Sequence, residues 1–172
     1  MSERNHPIYR RTRSALLWGL LAISITLGVL FWPNPRRQIE RQVLSMAESI
    51  SHHGSTIKRD WLSDLSANIH ENCSNSTTVT VEGVINEALT QERIIEAVIQ
   101  IATGSSELLV KLDRVTVELS DKSKRAQVNA DALVEVAHDN EVDRERRHVL
   151  MTLQAIDGKY RLVSVEATNI VN

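Results

Sequence analysis

A single cysteine, Cys73, stands in a chain of 172 residues, which excludes an internal disulfide framework and a cysteine-rich zinc site. Cys73 is expected to be a small residue near a helix end; the sharper alternative is a thiol that pairs between chains. An excess of positive charge is also missing. Lys and Arg total 20 against 22 Asp and Glu, for a net charge of −2, whereas a nucleic-acid binder needs a concentrated basic face. The chain contains no glycine-rich phosphate loop, nucleophile elbow or metalloprotease motif. Its histidines show no metal-ligand spacing: His52 and His53 are adjacent, so on a helix they point about 100° apart, and His70 does not complete a set. Their expected role is to complement the negative end of a helix. At this length the expectation is one domain plus appendages.

What is present first is a long uncharged run, from Ala15 to Trp32. Eighteen helical residues at about 1.5 Å each span about 27 Å, close to the hydrocarbon thickness of a bilayer. A cleavable signal would be shorter and would end in small residues; this run exits through Phe31, Trp32 and Pro33. Trp18 and Trp32 sit near its two ends, where indoles settle among headgroups. No polar face exists for a buried soluble helix to shed. The run reads as a retained single-pass anchor. Arg4, Arg10, Arg11 and Arg13 precede it and Arg36, Arg37 and Arg41 follow, so the slight excess before it puts residues 1–14 in the cytoplasm and the remainder outside. Residues 33–35 form a proline-containing junction, and 36–172 the domain.

Within 36–172 the apolar period is first that of helices. Ile39, Val43, Met46, Ala47 and Ile50 mark one helix, closed by His52-His53-Gly54. A second, from about Thr56 to Glu71, is capped by Ser55 and carries Ile57, Trp61, Leu62, Leu65 and Ile69. "NCSNS" reads as a loop and "TVTVEGVI" as a short strand. Thr90 caps a third helix with Ile94, Ile95, Val98 and Ile99 inside, stopped by Gly104. The period then becomes two. Leu108, Val110 and Leu112 share a face, and Val115, Val117 and Leu119 continue it after a one-residue slip at Asp113-Arg114, the mark of a bulge. Ala126, Val128, Ala130, Ala132, Val134 and Val136 line a second strand, "RRHVLMTLQAI" is a third, and Asp157-Gly158 turns into a fourth. The expected class is α+β: three helices packed on a curved antiparallel sheet of four long strands plus one short strand.

This order of elements resembles the nuclear transport factor 2-like superfamily, the cone-shaped cystatin-like fold. "AIDGKYRLVSVEA" looks like that family's terminal hairpin, with Tyr160 and Leu162 following the Asp-Gly turn. "VEGVINEALTQERIIEAV" is similar to its short strand leading into the third helix. The resemblance covers about Arg36 to Val171. With the single span it also looks like envelope assembly subunits, including the bitopic inner-membrane component of type IV secretion systems and small anchored proteins of lipid-import systems. Enzymes of the superfamily keep an acid or base inside the cone, so the resemblance implies a titratable residue at an inward strand position.

No such residue stands on the faces at 108–119 and 126–136. Glu118, Asp131 and Glu135 fall on the opposite phase, as solvated-face carboxylates do, and His148, beside Arg146 and Arg147, also reads as outer-face. No catalytic, cofactor-binding or metal-ligating residue is expected, and no cofactor. The function expected is a membrane-anchored, non-catalytic interaction or assembly module at the cell envelope. The alternative is a small-molecule-binding or isomerase-like pocket protein of the same fold. Partners expected are the lipid bilayer, an envelope protein and a second copy of the chain, but not nucleic acid. Leu133, Leu150 and Ile156 lie on the outer strand phase and are the candidate self-association face.

Overall fold

A computed structural model describes residues 34–54, 56–120, 124–138 and 141–170. The expected tail 1–14 and span 15–32, with Trp18 and Trp32, lie outside the described residues. Among the described residues no helix is long and apolar enough to cross a membrane. Pro35–Asn172 make one compact unit.

Helix α1 (Pro35–Ile50) opens on a proline, which at the first helical position has no N–H to lose. Its Ile39, Val43, Met46 and Ala47 are buried, as their spacing requires. The helix does not close at the two histidines. Instead His52 and His53 form a short strand, β1 (His52–His53), antiparallel to Leu108 and Glu107. Gly54, at φ +99°, then makes a turn that a residue with a Cβ would adopt only under strain. Helix α2 (Arg59–Asn72) starts later than expected: Lys58 is its N-cap and makes no side-chain cap bond. Ser55 lies outside the described residues. Leu65 and Ile69 bury the α2 stripe, and Trp61 Nε1 donates to Ser51 O at 2.9 Å.

The "NCSNS" stretch is not a loop. Cys73 ends α2 and at once begins β2 (Cys73–Val81). Its hydroxyls can be buried because they find backbone acceptors: Ser74 Oγ donates to Ser76 O, and Thr77 Oγ1 donates to Leu162 O at 3.1 Å. A turn through Gly83 leads to β3 (Ile85–Thr90), antiparallel to β2. Thr90 caps α3 (Gln91–Thr103) as expected, its side-chain oxygen accepting from the Arg93 N–H at 3.4 Å.

Four long strands follow: β4 (Glu107–Ser120), β5 (Arg125–His138), β6 (Glu141–Ile156) and β7 (Lys159–Asn169). The expected bulge is present: Asp113 pairs with Asp131, then Thr116 with Asn129, so β4 advances three residues while β5 advances two. Arg114 takes φ +52° within it. Asp157 and Gly158 both have positive φ, as a two-residue hairpin turn of the I′ kind demands.

The sheet corrects the expected one. Among the described residues it has seven strands in the order β1-β4-β5-β6-β7-β2-β3, and it is mixed, because β2 runs parallel to β7. That pairing joins segments some 85 residues apart, as with Thr78 and Ser164. Local patterning reports nearest-neighbour hairpins and carries no signal for such a partner. The three helices pack on one curved face, over a core of Ile39, Val43, Met46, Leu65 and Ile69 against Ala126, Val128, Met151, Leu153 and Leu162.

Candidate functional site

The concave face is apolar where the sequence predicts it. Along β5 the inward Ala126, Val128, Ala130 and Ala132 are buried, and along β6 so are Val149, Met151 and Leu153. The same β6 phase continues to Arg147, which pairs with Ala132 on one side and Asn169 on the other. Arg147 is therefore an inward residue, not an outer-face companion of His148. Adjacent strand residues cannot share a face, and its parity with Val149 and Met151 was the available signal.

Arg147 is held by three bonds. Its Nε and Nη2 lie 2.6 and 2.5 Å from Glu145 Oε1, and its Nη1 donates to Glu82 O at 3.3 Å. Glu82 in turn accepts the Asn169 N–H at 3.0 Å. The Arg147 side chain is 16% exposed, and that of Glu145 61%. Two short charge-assisted bonds fix the guanidinium at the edge of an aliphatic wall.

Helix α3 reaches this end of the sheet. It starts at the β3 edge and ends beside β5, where His138 Nδ1 lies 2.6 Å from Gly104 O. Its inward Ile94, Ile95, Val98 and Ile99 are only partly buried, whereas Ile39 and Val43 of α1 are each 1% exposed. The core is thus closed beneath α1 and α2 and looser beneath α3.

Two further groups involve histidine. His52 is 3% exposed, its ring centroid 4.6 Å from that of Trp61, and its Nε2 has no hydrogen-bond partner. On the outer face, Asp113, Asp131, His148 and Thr168 stand in one row across β4 to β7. Asp131 accepts from His148 Nδ1 at 3.2 Å and forms an ion pair with Arg114, aimed there by the bulge. The His148 hydrogen bond above all, and then the Arg114 charge, hold the Asp131 carboxyl below its usual range against the opposing effect of desolvation. The bonds printed on the carboxyl come from His148 and Arg114, and they tie the β4 bulge to the neighbouring strands. Among the described residues no cluster of His, Cys, Asp and Glu could hold a metal ion.

Leu133, Leu150 and Ile156 are partly buried on the outer phase. They do not touch one another. Leu150 lies opposite Asn129, four residues along β5 from Leu133, and Ile156 is six further along β6, about 13 and 20 Å at strand rise. Lys111 and Arg146 flank Leu133, and Glu166 flanks Leu150. Cys73 is 1% exposed, and burial pushes its thiol up to about 11, so it is a core residue and not a partner for a second chain. Two open grooves lie beside α1, one of about 540 Å³ against β4 and one of about 550 Å³ shared with α2 and the β6–β7 hairpin; the only histidine lining them is His53, whose Nδ1 is bound to the exposed Glu107 outside the groove.

No family model matches the chain, and no curated protein matches it. Solved structures do. A nuclear transport factor 2-like superfamily protein from Salmonella enterica superposes with a TM-score of 0.61 at 13% identity, covering 79% of this chain and 91% of its own. A candidate scytalone dehydratase from Novosphingobium aromaticivorans gives 0.60 at 12%, covering 78% and 83%. A candidate dehydratase of the same family from Streptomyces avermitilis gives 0.58 at 10%, covering 79% and 97%. At such identities the likeness is one of architecture: the chain is built on the cone-shaped, cystatin-like fold of nuclear transport factor 2-like proteins.

Proposed function

We propose that residues 36–172 form a small-molecule-binding domain, taking an apolar ligand with an acidic end on the concave side beneath α3. Arg147 carries this reading. A mostly buried guanidinium at the edge of an aliphatic wall, with Nε and one N–H of Nη2 given to Glu145 and one of Nη1 to Glu82 O, has two N–H groups left with which to take a second carboxylate, and the half-covered α3 stripe can accept an apolar body. Neighbours of the same fold are described as candidate dehydratases and a candidate aromatic ring hydroxylase, which favours a pocket over a solid module. Binding without turnover fits the residues better than catalysis. The inward carboxylates of β6, Glu145 and Asp143, are at the exposed rim, where a general base lacks a protected setting. The test is titration of residues 34–172 with a dansyl fatty acid and its methyl ester. The acid should bind roughly tenfold or more tightly than the ester, and Arg147→Met should erase the difference. Absence of binding, or an Arg147→Met variant that still prefers the acid, refutes it.

A second reading, a non-catalytic interaction module, is favoured by apolar residues on the outside: Leu133 and Leu150 on the sheet, and Val84, Ile101 and Val142 at 74, 49 and 53% exposure elsewhere. Light scattering on residues 34–172, with Leu150→Glu as the control, separates a dimer from a monomer. In either reading, residues 15–32 anchor the chain with residues 1–14 in the cytoplasm. Protease added to spheroplasts should then remove a C-terminal tag; full protection would reverse the orientation, and a soluble mature form would make the run a signal.

A further inference from the structure

Two amphipathic helices change chemistry along one flank. Gln42 and Ser45 stand one position before the buried Val43 and Met46 of α1, and Asn68 and Asn72, four apart on one face of α2, adjoin the buried Ile69. With Tyr160 of the β6–β7 hairpin they line the groove of about 550 Å³. Gln42, Asn68, Asn72 and Tyr160 are half-buried there. Amides so placed need partners, and these fix one another. Asn72 Nδ2 donates to Asn68 O at 3.0 Å and to Asn68 Oδ1 at 2.9 Å, which uses both of its N–H groups. Asn68 Nδ2 donates to Ser45 Oγ at 3.2 Å, and Gln42 Nε2 donates to Tyr160 O at 2.7 Å. The network uses donors and leaves acceptors. No described residue donates to Asn72 Oδ1 or Gln42 Oε1, and one Gln42 N–H remains as well. At the rim Glu71 and Lys159 pair at 3.0 Å, which leaves Arg41 as the one lining charge without a counter-ion among the described residues.

We propose that this groove is a second binding site, for a neutral saccharide. It is distinct from the Arg147 site: Tyr160 pairs with Ala155, eight residues along β6 from Arg147, about 26 Å at strand rise. A hydroxyl both donates and accepts, so a ring bearing several of them meets the open carbonyl oxygens and the remaining N–H together. Other ligands fit worse. An apolar body would strand the amides without water. A carboxylate would face the oxygens of Asn72 and Gln42, with only the exposed Arg41 to attract it. Water satisfies these atoms while the groove is empty, and sugar hydroxyls replace its donors and acceptors in kind. The Tyr160 ring offers a surface for the C–H face of a sugar, and the volume lies within the range of real ligand sites.

The full chain is titrated with maltotriose, cellotriose and triacetylchitotriose, and with glucuronate as the anionic probe, each up to about 10 mM, by ligand-observed saturation-transfer NMR. At least one neutral trisaccharide should bind with a Kd of about 1 mM or below, and glucuronate should bind at least tenfold more weakly. Gln42→Met keeps the length of the side chain and removes its amide, and should weaken the saccharide tenfold or more. Ser45→Arg is the second variant: Ser45 is exposed, so the core is untouched while the new side chain fills the groove and should abolish binding. Circular dichroism melting confirms that both variants fold. No binding by any of the three trisaccharides overturns the proposal. So does glucuronate binding more tightly than the neutral sugars, which would make the groove an anion site at Arg41. Saccharide binding that survives Ser45→Arg overturns it too, by placing the sugar elsewhere.

Discussion

Leu153→Ala and Val98→Ala together test where the cone is filled. Leu153 is 0% exposed on β6, between Ala126 and Leu162. Truncation removes about three carbons, worth roughly 2–2.5 kcal/mol of transfer energy, and the rigid strands around it leave a cavity costing about 1–2 kcal/mol more. The expected loss is about 3–4 kcal/mol, a large share of the ~5–15 kcal/mol of an ordinary domain. Val98, half-covered on the inner face of α3, loses two carbons that water already reaches, so about 1 kcal/mol is expected. Urea unfolding of residues 34–172 reads both, because Trp61 is the sole tryptophan of that segment. With a slope of about 2 kcal/mol per molar, the midpoints should fall by roughly 1.5–2 M and 0.5 M. Two equally large losses would mean that α3 is packed as tightly as α1 and leaves no room for a ligand. Two equally small ones would place the void deeper in the cone, away from Arg147.

Further outcomes follow from single sites. Cys73, with its thiol raised to about 11 by burial, should not react with a disulfide reagent at pH 8 until urea unfolds the chain; fast labelling of the folded protein would contradict its place in the core. Because the Asp131 carboxyl lies lower in the folded state than in the unfolded one, its stabilisation is present above about pH 4 and lost as pH falls through the folded value. Asp131→Asn should therefore flatten the acid limb of a urea-midpoint profile, and an unchanged limb would dissolve the Arg114–Asp131–His148 tie. Thr90→Ala should cost about 1 kcal/mol by removing the cap from α3, as seen in the same urea assay; no loss would mean that the 3.4 Å bond is idle.

Much of the fold was legible because it is written in short-range periods. The α1 stripe, the Thr90 cap, the bulge at Asp113-Arg114 and the Asp157-Gly158 turn each have a local cause, and each stands where the pattern places it. The failures share one physical origin, partners distant in sequence. His52 and His53 become a strand only because Leu108 and Glu107 offer an edge, and "NCSNS" becomes β2 because β7 and buried backbone acceptors receive it. The site was less legible. Arg147 stands in a run of charges, Arg144 to His148, that looks solvated throughout, and only extension of the Val149–Met151–Leu153 phase places it inside.

The same sheet bears on how copies of the chain could meet. Its exposed edges are β3 and the part of β4 beyond β1. At the start of β4, Ser51 takes the place of a neighbouring strand: Val110 N donates to its Oγ at 3.0 Å, and the hydroxyl lies 3.3 Å from Val110 O. Three residues on, the bulge breaks the straight run of unpaired groups, and Lys111, Asp113 and Arg114 place charge along it. These are the devices that discourage edge-to-edge pairing. Strand addition along β4 is therefore disfavoured, so association between copies would go through the outer face, where Leu150 sits between Asn129 and Glu166. A charge at Leu150 should abolish any dimer seen by light scattering. A dimer that survives Leu150→Glu yet dissociates when Leu112→Pro blocks the β4 edge would show that these guards fail and that the edge is the interface.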